Sequence, residues 1–497
     1  MRALVLSCII TCLMTAPVAA QPRSEAQESG RASSSGVLSL LPSDSVTEHV
    51  IEIGGEKLVY SATVGTLPIF DQDGSRSAAI VYTAYTAKRS EDAARPITFV
   101  FNGGPGAASA YLHLGVVGPK VADFGSQRDG ATAKLRDNPD SWLSFTDLVM
   151  IDPVGTGWSK AAKPDKAGDF WEVESDAQSL AKVITLYLRK HERTASPKYL
   201  LGESYGGFRA AKVARALQRE QGTIVNGIVM LSPLLDAALQ FGANRFALGA
   251  ALQLPSLAAA ELDRRNAFSE TALTAAERFA MTDYLTALAG KPPQGEAARG
   301  FYARIAEISG LPLDVVTRTR GFIREAYVKN AAINRGEIVS PYDASVAAAD
   351  PFPESTHDAG ADPILDGYLQ ALSGLFVGYA REQLGFRTDL TYVLLNREVN
   401  RRWNWGDRGR SQASIERDMR ELLALNPSFR ILVAHGRSDL VTPYAVSRYV
   451  IDHLPPIGAP DRVALKLYAG GHMFYFAPKE RAVFTSDVQT FYRSPEL

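Results

Sequence analysis

Regular patterning of apolar and polar positions begins near residue 49. HVIEI and KLVYSATV alternate around Gly54-Gly55, and AAIVYTAYTA follows as a third run of the same kind. Strict alternation with a Gly-Gly break predicts a hairpin, so these runs form antiparallel strands at one edge of a sheet. Then the pattern changes to short, mainly apolar runs: ITFVF (97–101), DLVMID (147–152), the Tyr199-Leu200-Leu201 run, IVNGIVML (224–231), FRILVAHG (429–436) and RVALKLY (462–468). Stretches with helical spacing lie among them, at 176–190, from Tyr205 onward, at 411–425 and at 479–492. Short buried strands alternating with amphipathic helices predict a mainly parallel sheet covered on both faces, an α/β fold.

From about residue 236 to 405 the rhythm is lost. ALGAALQL, TAAERFAMTDYLTAL and GYLQALSGLFVGYA read as helices, joined by turns such as Lys291-Pro292-Pro293 and Asp350-Pro351-Phe352-Pro353. Because the β-α rhythm returns afterwards, this stretch reads as a helical cap inserted into one domain. The expected layout is a first core part at 46–235, the cap at 236–405 and a second core part at 406–497. No internal repeat interrupts it.

Composition narrows the function. The 53 Lys and Arg balance 54 Asp and Glu without long runs of one sign, which gives no basic stripe for nucleic acid or an anionic membrane. Residues 1–20 carry Arg2, an apolar stretch at 3–14 and Val18-Ala19-Ala20, the pattern of a secretory signal peptide cut before Gln21. The stretch is short for a bilayer span, so no membrane attachment is expected after cleavage. Both cysteines, Cys8 and Cys12, lie inside it, and Ile10-Thr11 fits a lipid-attachment site at Cys12 poorly. An exported, cysteine-free protein is expected, periplasmic or extracellular, with a bacterial periplasm the first choice. Residues 21–45 are rich in Ser, Gly, Arg and Glu and read as a disordered leader.

The chemistry centres on Gly202-Glu203-Ser204-Tyr205-Gly206, a G-x-S-x-G between a predicted strand and a predicted helix. That context makes a nucleophile elbow, a turn so tight that small residues must flank it. An ordinary loop is the alternative for the pentapeptide alone. An elbow serine needs a base and a group to orient it, in chain order Ser, Asp or Glu, His. Asp439, in Gly436-Arg437-Ser438-Asp439, and His472, in Ala469-Gly470-Gly471-His472-Met473, each follow a predicted strand in that order. Asp152 also ends a strand, but it precedes the serine and its Pro-Val-Gly-Thr-Gly sequel reads as a structural loop. Among the other histidines, His113 falls in a predicted helix and His435 at a strand end, a core or supporting position. His49, His191, His357 and His453 lie in polar surroundings typical of solvated residues. An oxyanion hole needs two converging N–H groups, here Tyr205 and Gly104 of Asn102-Gly103-Gly104-Pro105-Gly106. The latter loop could also be a plain strand-end turn. No clustered ligands call for a metal or cofactor.

Taken together these motifs resemble the serine carboxypeptidase family (carboxypeptidase C and cathepsin A-like). The matching segments are Asn102-Gly103-Gly104-Pro105-Gly106, Asp152-Pro153-Val154-Gly155-Thr156-Gly157-Trp158-Ser159, Gly202-Glu203-Ser204-Tyr205-Gly206-Gly207, Gly436-Arg437-Ser438-Asp439 and Gly471-His472-Met473. The resemblance implies an α/β-hydrolase fold with an inserted cap, peptide substrates and release of single C-terminal residues. It also places Asn102 and Glu203 beside the substrate's terminal carboxylate. Two positions depart from the family: Ala107-Ala108-Ser109 replaces Cys-Ser-Ser, and Val116 stands where well-known eukaryotic members carry a Glu. The second departure leaves endopeptidase, esterase or acyltransferase activity open, and a non-catalytic binding protein on the same scaffold is the alternative of another class. The sequence is silent on oligomeric state.

Overall fold

The alternating runs form an antiparallel trio in the computed structural model, which describes residues 36–88, 95–125, 128–356, 360, 362, 365–367 and 369–493. Strand β1 (Ser45–Ile53) pairs with β2 (Glu56–Phe70) around the Gly54-Gly55 turn, and β2 pairs with β3 (Arg76–Ala87). The apolar runs supply β4 (Ile97–Phe101), β5 (Asp147–Ile151), β6 (Lys198–Glu203), β7 (Gly227–Leu231), β8 (Arg430–Gly436) and β9 (Val463–Tyr468). Their order across the sheet is β1-β2-β3-β5-β4-β6-β7-β8-β9, with a short strand, Lys160–Ala161, added to β3 to make ten. From β5 to β9 every neighbouring pair is parallel.

Burial explains why these runs lack polar alternation. β4, β5 and β7 are buried at every position. One face of β4 (Ile97, Phe99, Phe101) packs with helices α1 (Val173–Lys190) and α2 (Tyr205–Gln221), and Val100 faces the opposite layer with the helix Pro478–Arg493. Helices on both faces of a largely parallel sheet, with a strand–turn–helix crossing at Ser204, make this an α/β-hydrolase fold.

Between β7 and β8 the chain is mostly helical. Helices Ala247–Arg264, Glu270–Phe279 and Gly295–Ser309 share an apolar cluster with Tyr327 that also takes in Leu440, the residue after Asp439. The second half of this segment behaves differently. Leu372, Phe376, Tyr379, Leu384 and Tyr392 join the core of the sheet layer, where Trp158 lies 4.8 Å from the Tyr392 ring and 5.6 Å from Phe376. Aromatic side chains spaced along a helix bury themselves against the nearest apolar layer, so only the first half keeps a core of its own.

The leader also ends earlier than expected. Residues Val37–Leu40 form a helical turn, Leu38 is buried, and the Leu40 carbonyl accepts from Thr388 Oγ1 at 3.0 Å. The signal-peptide stretch, the leader before residue 36 and His357 lie outside the described residues. Among the described residues no helix is long and apolar enough to cross a membrane.

Candidate active site

The C-terminal ends of β4, β6, β8 and β9 carry Asn102, Gly104, Glu203, Ser204, Tyr205, Asp439 and His472, while the Asp152 motif follows β5. Ser204 sits at the N-terminus of α2 with φ 59° and ψ −125°, a conformation costly for a residue with a side chain. Its N–H donates to Leu231 O at 2.8 Å, and its carbonyl accepts from Gly207 at 3.0 Å and Leu234 at 3.2 Å. These bonds hold the strained turn. Gly202 is needed here, since a Cβ would lie 2.0 Å from the Gly206 carbonyl. The Gly103 backbone runs so close that a Cβ there would meet Tyr205 N at 2.6 Å. Neither the Gly104 nor the Tyr205 N–H donates to another group among the described residues.

Asp439 and His472 meet in the buried space behind this turn. His472 Nδ1 lies 2.7 Å from Asp439 Oδ2, which fixes the proton on Nδ1 and leaves Nε2 as the acceptor. Asp439 Oδ1 accepts from the N–H groups of Val441 (2.8 Å) and Thr442 (3.0 Å), and Thr442 Oγ1 lies 2.6 Å from Oδ2. Burial favours a neutral His472, but the Asp439 and Glu203 carboxylates outweigh it and raise the pKa.

A strap from the capping segment grips both loops. His472 N–H donates to Tyr342 O at 2.6 Å, and the Tyr342 ring stands edge-on to the imidazole at 5.4 Å. Leu440 N–H donates to Pro341 O and Ala344 N–H to Ser438 O, both at 3.0 Å, while Ser438 Oγ donates to Asp343 Oδ1 at 2.6 Å. The approach is tight: a Cβ at Gly471 would lie 2.0 Å from Tyr342 O.

Glu203 and Asn102 form the third part. Asn102 Nδ2 donates to Glu203 Oε2, Tyr475 Oη donates to Oε1 at 2.7 Å, and Leu112 N–H donates to Asn102 Oδ1 at 3.2 Å. Glu203 is buried, and desolvation pushes its carboxyl up to about 7 against the opposing pull of His472 and the two hydrogen bonds. Arg209, on α2, bonds the Asn102 carbonyl and pairs through Nε with Asp176 Oδ2 at 2.6 Å, both side chains buried. Val116 is buried too, and no carboxyl replaces the family Glu there. Tyr475 instead supplies the hydroxyl that Glu203 holds.

One cavity of about 270 Å³ brings the predicted residues together: Ser204, His472, Asn102, Glu203, Gly104 and Tyr205 all line it, with Asp439 behind His472. A larger cavity of about 570 Å³ lies beyond the His472 loop and contains neither Ser204 nor Glu203.

The other titratable groups fall elsewhere. Asp152 Oδ1 accepts from Ser109 N–H and Oγ, each at 2.7 Å, a loop-holding role away from Ser204. His113 is buried on Tyr85 Oη, with burial taking its pKa down to about 3, and His435 is buried on Ser447 Oγ. His453 is exposed, but His49 and His191 are half-buried, stacked on Tyr60 and packed on Tyr187. Their polar neighbours in sequence hid aromatic partners brought by pairing strands and by the preceding helix turn.

Several site residues escaped the motif reading. Thr442 follows Asp439 by three positions, a spacing at which an Asp commonly accepts from nearby N–H and O–H groups. Tyr342, Tyr475, Arg209 and the cavity residues Trp405 and Arg410 gave no local cue.

The sequence pattern of the serine carboxypeptidase family matches residues 70–467. The chain belongs to the serine carboxypeptidase family. The match includes Ser204 and Asp439 and ends before His472. Among its relatives, serine carboxypeptidase-like 41 of Arabidopsis thaliana is 29% identical over 203 residues, covering 38% of this chain and 40% of the relative. The retinoid-inducible serine carboxypeptidase of Rattus norvegicus is 30% identical over 159 residues, covering 30% and 32%. The chain therefore spans less than half the length of either relative. Among solved structures, homoserine O-acetyltransferase from Bacillus anthracis aligns with a TM-score of 0.39 at 12% identity, covering 92% of this chain and 100% of that one.

Proposed function

We propose that the protein is an exported serine carboxypeptidase that releases C-terminal residues from peptides. The observation that carries this reading is the buried Asn102–Glu203 pair in the same cavity as Ser204 and His472. Ser204 Oγ attacks the scissile carbonyl while His472 Nε2 takes its proton and returns it to the leaving amine. Water then enters by the same route in reverse, and the acyl group leaves Ser204. Asp439 keeps the imidazole oriented and stabilises its charged form. The Gly104 and Tyr205 N–H groups cradle the oxyanion.

The terminal carboxylate of the substrate would lie against Glu203 and Asn102. Two carboxyl groups in contact must share a proton, and a carboxyl that ionises only near pH 7 keeps that proton across the acidic range. Asn102 adds its second amide N–H.

Matched peptides with free and amidated C-termini, followed by mass spectrometry, test the reading. Release of single residues from free acids, with amides resisting, is the expected outcome; internal cleavage or equal turnover of both would overturn it. A second reading, an exported esterase or acyltransferase with the same serine, draws on the apolar Val116 and would gain from that result. Failure of a fluorophosphonate probe to label Ser204 would instead point to a binding protein. Export rests on the pattern of residues 1–20 and is tested by sequencing the N-terminus of native protein, expected at Gln21.

A further inference from the structure

Glu203 and Tyr205 leave the elbow in different directions. Glu203 turns to Asn102 and Tyr475, whereas the Tyr205 ring packs on Phe208 at 5.2 Å, Trp403 at 5.2 Å and Trp405 at 5.4 Å. On the Tyr205 side the cavity continues over Trp405 and Phe241 to Arg410. The Arg410 guanidinium lies 4.1 Å from the Phe241 ring centre and 5.6 Å from that of Trp405. Phe241 leaves 45% of its surface exposed at this rim.

Arg410 differs from Arg402 and Arg417, which carboxylates hold. Arg402 is paired with Glu398, and Arg417 with Glu421. Arg410 is exposed at the rim and enters no ion pair among the described residues, and partial desolvation against the two rings lowers its pKa. Besides three tyrosines the cavity lining holds two titratable groups, Glu203 and His472, and Arg410 is its one residue of fixed charge. Aromatic faces can hold a planar cation in place while leaving its edge donors for a carboxylate.

We propose that Arg410 selects an acidic side chain on the acyl side of the scissile bond, the residue directly before the one released. This rests on the carboxypeptidase reading only for direction. With the terminal carboxylate at Asn102 and Glu203, the preceding residue faces Tyr205, Trp405 and Arg410. Glu and Asp reach a guanidinium with two parallel hydrogen bonds, and a Lys at the same place meets like charge.

The experiment uses N-acylated peptides with Glu, Gln or Lys before the released residue, as free acids, and activated esters of N-acyl-Glu, -Gln and -Lys. Wild type should favour Glu over Gln by on the order of tenfold in kcat/KM, as expected for a hydrogen-bonded charge pair, with Lys poorest. Added salt should narrow the gap. Arg410→Ala should bring the Glu:Gln ratio close to one, and Arg410→Glu should invert the order of Glu and Lys. These are ratios within one protein, so a loss of folded material does not mimic them. The esters lack a terminal carboxylate and separate the two readings. A Glu preference that persists in the esters supports Arg410 even if free acids and amides prove equal substrates, an outcome that would sink the carboxypeptidase reading alone. A ratio near one in wild type, a ratio unmoved by Arg410→Ala, or an Arg410 effect confined to free acids overturns the proposal. Turnover of none of these substrates overturns both.

Discussion

Replacing Glu203 by Gln isolates the buried carboxyl that the proposed mechanism depends on. Protonated, Glu203 can accept from Asn102 Nδ2 at one oxygen and donate to Tyr475 Oη from the other. Gln reproduces this arrangement, with its carbonyl toward Asn102 and its NH₂ toward Tyr475. The variant is thus a copy of the acid that cannot ionise. In wild type the carboxyl pKa rises from its ordinary 4.5 to about 7 because burial disfavours the charge. The folded state therefore holds a proton that the unfolded chain releases between pH 4.5 and 7, so folding stability falls as pH climbs through that window. Below pH 4.5 the two proteins should be equally stable. Above pH 7 the Gln variant should be the more stable by about 3 kcal/mol, the cost of that rise at 1.36 kcal/mol per pH unit. Thermal or urea unfolding from pH 4 to 8 reads this directly. Kinetics supply a second readout: KM for free-acid peptides should climb with pH in wild type and flatten in the variant. On an activated ester, the pH profile follows His472, whose pKa Glu203 helps to raise, so its acid limb should move to lower pH in the variant. A stability difference that does not change with pH would refute the argument.

Ser204→Ala or His472→Ala should cost on the order of a millionfold in kcat with the fold retained, as measured by single-residue release. Asp439→Asn should cost about ten-thousandfold through the wrong imidazole tautomer. Near-normal turnover by purified Ser204→Ala would end the assignment. Asp176→Ala leaves the buried Arg209 charge unpaired and should destabilise the protein by about 3–5 kcal/mol in urea unfolding, whereas a change under 1 kcal/mol would show that Arg209 finds water instead. Gly471→Ala places a methyl group 2.0 Å from Tyr342 O and should lower kcat on a small ester as much as on a peptide. An ester rate left at the wild-type level would mean that the strap governs access alone.

The parallel strands were legible because a strand covered on both faces must be apolar at every position, and such runs stand out between helical periods. The order Ser204, Asp439, His472 was legible because an elbow serine draws its partners from later strand ends in this fold. What sequence did not disclose is contact between distant segments. His49 and His191 sit among polar neighbours, and strand pairing brings Tyr60 to the first while the packing of α1 on β3 brings Tyr82 to the second. Arg410 follows a polar, Gly-containing run and is exposed; its place at the cavity rim depends on Phe241, 169 positions earlier, and on Trp405. No local period encodes a partner at that distance.

The same argument bears on the capping segment, which the sequence presents as a helical insertion. Leu440 follows Asp439 directly, yet its side chain belongs to the cap's apolar cluster, and its N–H and carbonyl bond Pro341 O and Arg324, both in the cap. One residue away in space, Tyr342 O takes the His472 N–H. Asp439 and His472 lie on loops after adjacent parallel strands, which fixes their spacing coarsely. A hydrogen bond of 2.7 Å between them needs placement to a few tenths of an ångström, and the strap bonds both loops at once, as does Ser232 after β7, which donates to His472 O and accepts from Thr442 Oγ1. The cap therefore contributes to the chemistry as well as to the choice of substrate. Rigid-body opening of the whole cap would break the bonds to Leu440 and His472 together, and with them the placement of both catalytic partners.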